Sequence, residues 1–290
     1  MANLLPDDNI DQTPADKVAD LRKELERHNR LYEGMMRAGA FAAAVAALAM
    51  PTPLGVLVGA ATGALVGALH GWLCIWWRAD QVVSGMAINL LMLALGTFLL
   101  EALFSSPSGT PSITQLPLWL GHSPFTWLAM VLPLVVHGAV SRTPWGLRLR
   151  AVGEKPSAVA AMGVRVSQLR LGAVTLSGAL AGLGGASLST STLDHFEHHM
   201  PSGLGFMAVA AMVFGRWTPL GAAAAATFFA FGNALRIGLA SSAPGLLEVI
   251  PQGALLALPY ALTLFVLAVQ GKRAVAAPAA LGTPYDPELR

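Results

Sequence analysis

The chain has 290 residues, of which 54% are hydrophobic and only 12% charged, with a mean hydropathy of +0.59. That balance excludes a soluble domain of this length and describes an integral membrane protein. The net charge of +2 reflects an uneven distribution of Lys and Arg along the chain, and it does not imply a nucleic-acid partner.

Residues 1–16 are polar and acidic, and the first 30 lack a basic n-region followed by an apolar h-region, so no cleavable signal peptide is expected. From Val18 to Tyr32, Val18, Leu21, Leu25, His28 and Tyr32 recur at three- and four-residue steps, which predicts a cytosolic amphipathic helix. Eight apolar segments follow, at 38–50, 54–77, 82–104, 126–140, 171–191, 204–214, 218–240 and 247–270. A hydrocarbon core needs about 20 apolar residues to cross. By that measure 54–77, 82–104, 171–191, 218–240 and 247–270 qualify outright. The runs at 38–50 and 204–214 are either spans extended by their flanks or re-entrant segments that stop partway. The fold expected is all-α, a polytopic bundle of transmembrane helices with both termini cytoplasmic. It divides into a tail and amphipathic helix at 1–33, a transmembrane domain at 34–271 with a cytoplasmic loop at 141–170, and a C-terminal tail at 272–290.

The loop at 141–170 sets the orientation. It holds Arg142, Arg148, Arg150, Lys155, Arg165 and Arg170 against one acid, Glu154, and short basic loops stay on the cytoplasmic side. Counting crossings outward from it puts 106–125, 192–202 and 241–247 outside, and none of them contains Lys or Arg. Arg37, Arg78, Arg216, Lys272 and Arg273 fall on the cytoplasmic side. Within the loop, Gly153, Glu154, Lys155 and Pro156 open a short Ala-rich stretch that passes Met162 and stops at Gly163. This reads as a helix of about two turns, shaped to dock on a cytosolic partner.

In the second apolar segment Gly55, Gly59, Gly63, Gly67 and Gly71 repeat every fourth residue, a groove for close helix packing; Gly178, Gly182, Gly184 and Gly185 read the same way. Polar side chains inside the spans, Ser84, Asn89, Asn233 and Gln252, are candidates to line a path for a neutral polar solute, and each could equally bond a neighbouring helix. Phe206 belongs to the glycine-rich entry of the short segment 204–214, a candidate wall of that path. Ionisable residues in mid-membrane are almost absent, with Arg236 the exception. Asp194, His195, Glu197 and His199 offer a weak metal pattern that lacks a second ligand cluster, so no metal site is assigned. No catalytic constellation and no nucleotide-binding loop are found, so the chain is read as a non-enzyme with no cofactor of its own. The single cysteine, Cys74, excludes an intrachain disulfide.

Three blocks carry a resemblance: Ala79-Asp80-Gln81-Val82-Val83-Ser84-Gly85-Met86-Ala87-Ile88-Asn89-Leu90; Thr143 through Pro156, continuing by Gly163-Val164 to Ser177–Gly185; and Gly203-Leu204-Gly205-Phe206-Met207-Ala208-Val209-Ala210 with Gly215, Arg216, Pro219, Leu220 and Gly221. In them the chain resembles the inner-membrane permeases of bacterial ABC importers for simple sugars, nucleosides and branched-chain amino acids, and looks most like the nucleoside-type branch. The resemblance implies a multi-pass permease of the bacterial inner membrane. It also implies a second permease subunit, an ABC ATPase that binds ATP and magnesium and meets residues 153–163, and an extracytoplasmic solute-binding protein received by the loops at 106–125 and 192–202. Membrane lipid is the remaining partner. The pattern departs at the N-terminus, where only Glu33-Gly34-Met35-Met36 represents an Asn-x-Gly-x-Glu-Gly-Met-Met stretch and charged residues stand in place of an upstream apolar segment. A sugar or branched-chain amino acid importer, a stand-alone ion-coupled transporter and an inactive membrane subunit are the alternative readings.

Overall fold

The computed structural model describes residues 14–106, 108–198, 200, 201, 203–242, 277–283 and 285, and of 14–30, 236 and 239–242 it describes the backbone alone. The eighth apolar segment at 247–270, with Gln252, and the basic pair Lys272 and Arg273 therefore lie outside the described residues, as do His199 and the side chain of Arg236.

Among the described residues the fold is helical: α1 (Pro14–Ala49), α2 (Thr52–Trp76), α3 (Gln81–Phe104), α4 (Pro124–Arg142), α5 (Pro144–Glu154), α6 (Pro156–Ala161), α7 (Val166–Ser187), a π-helical turn at Leu188–Thr192, α8 (Leu204–Phe214) and α9 (Pro219–Ser242). Only isolated bridges, Gly109 with Glu197 and Trp119 with His122, interrupt this pattern. Among the described residues four helices are long and apolar enough to cross a membrane: α2, α3, α4 and α7 extended through Thr192. Two shorter apolar stretches, Leu204–Phe214 and Pro219–Leu235, accompany them.

Local chemistry sets the helix starts. Pro53, Pro124, Pro144, Pro156 and Pro219 all stand in first turns, where the missing N–H costs nothing and the fixed φ suits a helix. The Asp80 carboxylate caps α3 by accepting from the N–H groups of Val82 and Val83 at 2.8 and 3.1 Å. Thr143 joins α4 to α5: its hydroxyl donates to the Ala139 carbonyl at 2.5 Å and accepts from the Gly146 N–H at 3.1 Å.

The core is α1, α2 and α7 packed through small residues. A Cβ on Gly63 would strike the Gly178 carbonyl and stand 2.7 Å from Gly182 Cα; on Gly59 it would lie 2.7 Å from the Gly39 carbonyl; on Gly67, 2.8 Å from the Val174 carbonyl. The four-residue stripe therefore faces α7 and α1, and backbones meet where side chains would otherwise hold them apart. α1 crosses position 33 without a break, so the amphipathic stretch and the first apolar segment are one helix. By contrast α4 buries none of its residues.

The short helix expected with proline in its first turn and Gly163 as its stop is the six-residue α6, which a break at Lys155 (φ −143°, ψ 85°) separates from the end of α5. Pro156 is the reason, since its ring excludes the α conformation from the preceding residue. Gly163, at φ +81°, ends this region as expected.

Candidate coupling and translocation sites

α5, α6 and the start of α7 close around Val152, Val159 and Val166, all buried, with Leu169 and Tyr285 packed on them. This small core fixes the corner between α5 and α6. Glu154, Lys155 and Gly163 are exposed, Gly153 and Pro156 half-buried, and Met162 is 71% exposed. An unbranched apolar side chain so displayed is suited to a protein contact. Part of the tail covers the other side: the Ala280 N–H donates to the Gly153 carbonyl at 2.9 Å, and Arg170 donates to the Thr283 carbonyl at 3.0 Å beneath the Tyr285 ring. A cavity of about 280 Å³ lies under this strap, bounded by His70, Gln81, Arg170 and Tyr285.

Ser84 is buried, its hydroxyl 3.1 Å from His70 Nδ1. One and a half turns further along α3, the Asn89 side-chain carbonyl accepts from Arg37 Nη1 at 3.2 Å. α3 thus brings Ser84 and Asn89 to the packed interior beside α1 and α2. Phe206 stands in the first turn of α8 with 41% exposure, and Asn233 is exposed on α9.

Arg37 is only 6% exposed inside α1, and its bond to Asn89 joins α1 to α3. One turn earlier on α1, the Glu33 carboxylate accepts the Gly203 N–H at 2.6 Å, at the N-terminus of α8. Gly203 has φ +78°, a conformation that suits glycine at this sharp entry. Sequence reading named both residues but not these contacts. Their four-residue spacing among Gly34, Ala38, Gly39 and Ala40 was the available signal, since charges flanked by small residues belong to a packed helix face.

The segments at 106–125 and 192–202 pair with one another. Thr110 N–H donates to the Phe196 carbonyl at 3.1 Å, Phe196 N–H to the Thr110 hydroxyl at 2.9 Å, and Ile113 N–H to the Asp194 carbonyl at 2.6 Å. Phe196 and Ile113 are buried against Ala40, Ala44 and Leu100, with Phe196 edge-on to Phe41 at 5.4 Å. The segment around Phe196 is thus core, whereas Leu118, Trp119 and Leu120 are exposed. His195 bonds Asp194 at 2.8 Å, which holds that carboxyl below the usual carboxylate range, and His198 meets Thr97. Among the described residues no group of three His, Cys, Asp or Glu gathers as metal ligands.

Comparison with known proteins bears on this arrangement. The guanosine ABC transporter permease protein NupQ of Bacillus subtilis is 36% identical over 277 residues, 87% of this chain and 86% of that protein. The nucleoside ABC transporter permease protein NupC of Lactococcus lactis is 35% identical over 276 residues, with the same coverage. The autoinducer 2 import system permease protein LsrC of Salmonella choleraesuis is 28% identical over 154 residues, 51% of this chain and 43% of that protein. No solved structure matches. Residues 32–267 match the family described as branched-chain amino acid transport system / permease component, and the chain belongs to that family, which comprises membrane permease subunits of transport systems and is not an enzyme family.

Proposed function

We propose that this permease subunit forms half of the membrane path of a bacterial inner-membrane ABC importer for nucleosides. Its ATPase partner, holding ATP and magnesium, meets the corner made by Gly153, Glu154, Lys155, Pro156, Met162 and Gly163. A second permease subunit completes the path, and an extracytoplasmic binding protein delivers solute to the face that carries segments 106–125 and 192–202. Ser84, Asn89, Phe206, Asn233 and Gln252 contribute to the solute path.

The observation that carries the nucleoside assignment is the identity of about 35% across 87% of the chain with two permeases named for guanosine and nucleosides. The uncharged polar side chains on α3 agree with a neutral solute, which exchanges bonds to water for bonds to amides and hydroxyls. The exposure of Met162, Glu154 and Lys155 around a fixed valine core supports the ATPase contact.

The test joins assembly to transport. The tagged chain, purified in mild detergent from its native membrane, is expected to retain an ABC ATPase and a second permease. Proteoliposomes of the recovered complex, with binding protein, should take up labelled guanosine and uridine only with ATP. Uptake of labelled leucine or ribose in place of both nucleosides would move the assignment to the amino acid or sugar branch. Uptake abolished by an uncoupler and indifferent to ATP would replace the importer reading altogether.

A further inference from the structure

We infer that the strap made by residues 278–283 and Tyr285 is a coupling element, which makes the α5–α6 corner and α7 move as one body; this rests on the reading above that an ATPase meets the corner. The corner is joined to α7 at two levels. The valine core grips α7 at its first residue, Val166. The strap takes hold one turn further along. Its Ala280 N–H donates to the Gly153 carbonyl on α5 at 2.9 Å, and Arg170 Nη1 on α7 donates to its Thr283 carbonyl at 3.0 Å. The Arg170 guanidinium also lies 6.0 Å from the centre of the Tyr285 ring, and Tyr285 packs on the valine core. Met162, Glu154 and Lys155 stay exposed, so the strap holds the corner without covering the proposed ATPase contact.

The need for a second attachment follows from the space beside the first. The cavity of about 280 Å³ lies there, with Leu149 of α5, Ala173 and Val174 of α7, Ile75 of α2 and Leu281 of the strap among the residues around it. Close-packed side chains pass a displacement on, and a void has no atoms to do so. With the valine core alone, a push on the corner would turn α5 about Val166 into this space. An attachment at Arg170, about 6 Å further along the axis of α7, removes that pivot. The strap also holds its own shape. Its Leu281 N–H donates to the Pro278 carbonyl and its Thr283 hydroxyl to the Ala280 carbonyl, each at 3.0 Å, and Gly282 turns the chain at φ +73°. Beyond Arg170, α7 carries Val174, Gly178 and Gly182, which meet Gly67 and Gly63 of α2, so a displacement of α7 reaches the spans.

The experiment uses the whole importer in proteoliposomes with its binding protein. ATPase retention, ATP hydrolysis and uptake of the labelled solute that the parent complex carries, guanosine on the reading above, are measured on each preparation. Three chains are compared with the parent: one ending at Ala277, the full chain with Arg170→Leu, and the shortened chain carrying Ala173→Leu, which puts a larger side chain into the cavity. The expected result is solute taken up per ATP reduced about fivefold or more in the shortened chain and about twofold or more by Arg170→Leu, with ATPase retention and hydrolysis within about twofold of the parent. Ala173→Leu should recover about half or more of the lost ratio by filling the space, a recovery that a strap acting only on stability does not predict. An unchanged ratio in assembled complexes, a fall in uptake matched by an equal fall in hydrolysis or retention, or no recovery with Ala173→Leu would each overturn the coupling role. If the shortened chain fails to assemble, Arg170→Leu decides alone. A parent complex that retains no ATPase overturns the importer reading itself, a result visible without any variant.

Discussion

Asp194 and His195 adjoin in sequence, and their side chains bond at 2.8 Å in the segment that also receives the Ile113 N–H. The hydrogen bond from His195 keeps the Asp194 carboxyl below the ordinary carboxylate range. A lowered carboxyl stabilises the fold fully above its unfolded value, about 3.9, and loses that contribution as pH falls through the lower folded value. The substitution Asp194→Asn should therefore lower the melting temperature of the detergent-purified protein at pH 6, and the gap from the parent should close on acidification below about pH 4. A gap independent of pH down to the limit of folding would show that the ionisation of Asp194 contributes nothing to stability. Legibility differs sharply between residues here. Ser84 and Asn89 stand out in sequence because an amide or hydroxyl inside an apolar run has little other reason to be there. The burial of Arg37 does not, because its partner, Asn89, is 52 residues away.

At the scale of elements, the glycine stripe on α2 decides how closely α2 and α7 approach. Gly63 faces the Gly178 carbonyl and Gly182 with no room for a side chain, whereas a Cβ on Gly96 of α3 would meet nothing within 4 Å. Gly63→Leu should destabilise the subunit by about 3 kcal/mol, the upper range for overpacking a filled site, with lower abundance in the membrane and a lower melting temperature. Gly96→Ala is the control and should be neutral or slightly stabilising, since alanine restricts the unfolded chain. Equal abundance of both variants would remove the stripe from the account of packing. The stripe was legible because a repeat of four returns to nearly the same face of a helix. α5 was not. Leu147, Arg148, Leu149 and Arg150 alternate in a basic stretch that reads as loop, and the helix depends on the Thr143 cap and on Val152 closing against Val159 and Val166. The valine contacts join α5 to residues that follow it, and periodicity within the stretch gives no hint of them.

Across the whole molecule, the α5–α6 corner is held on two sides. Its valine core fixes it to α7, and the strap from Ala280 to Thr283 ties Gly153 and Arg170 to the tail. A partner that pushes on Met162 therefore moves α7, and α7 carries the glycines that pack on α2 and α1. This chain of contacts gives the proposed ATPase a mechanical route to the spans, provided the corner is a contact point and Met162 is its apolar anchor. Met162→Asp tests that condition. The side chain is 71% exposed, so a carboxylate there is solvated in the free subunit and should leave insertion and melting temperature unchanged. In an apolar interface the same charge must shed water without a partner, at a cost on the order of 2 kcal/mol, which weakens ATPase retention about 30-fold. Val159→Asp is the contrasting variant: Val159 is buried, so that change should disrupt the corner itself and lower stability along with retention. If Met162→Asp retains the ATPase at parental levels while Val159→Asp loses it, the corner is a structural support and the coupling contact lies elsewhere on the cytoplasmic face.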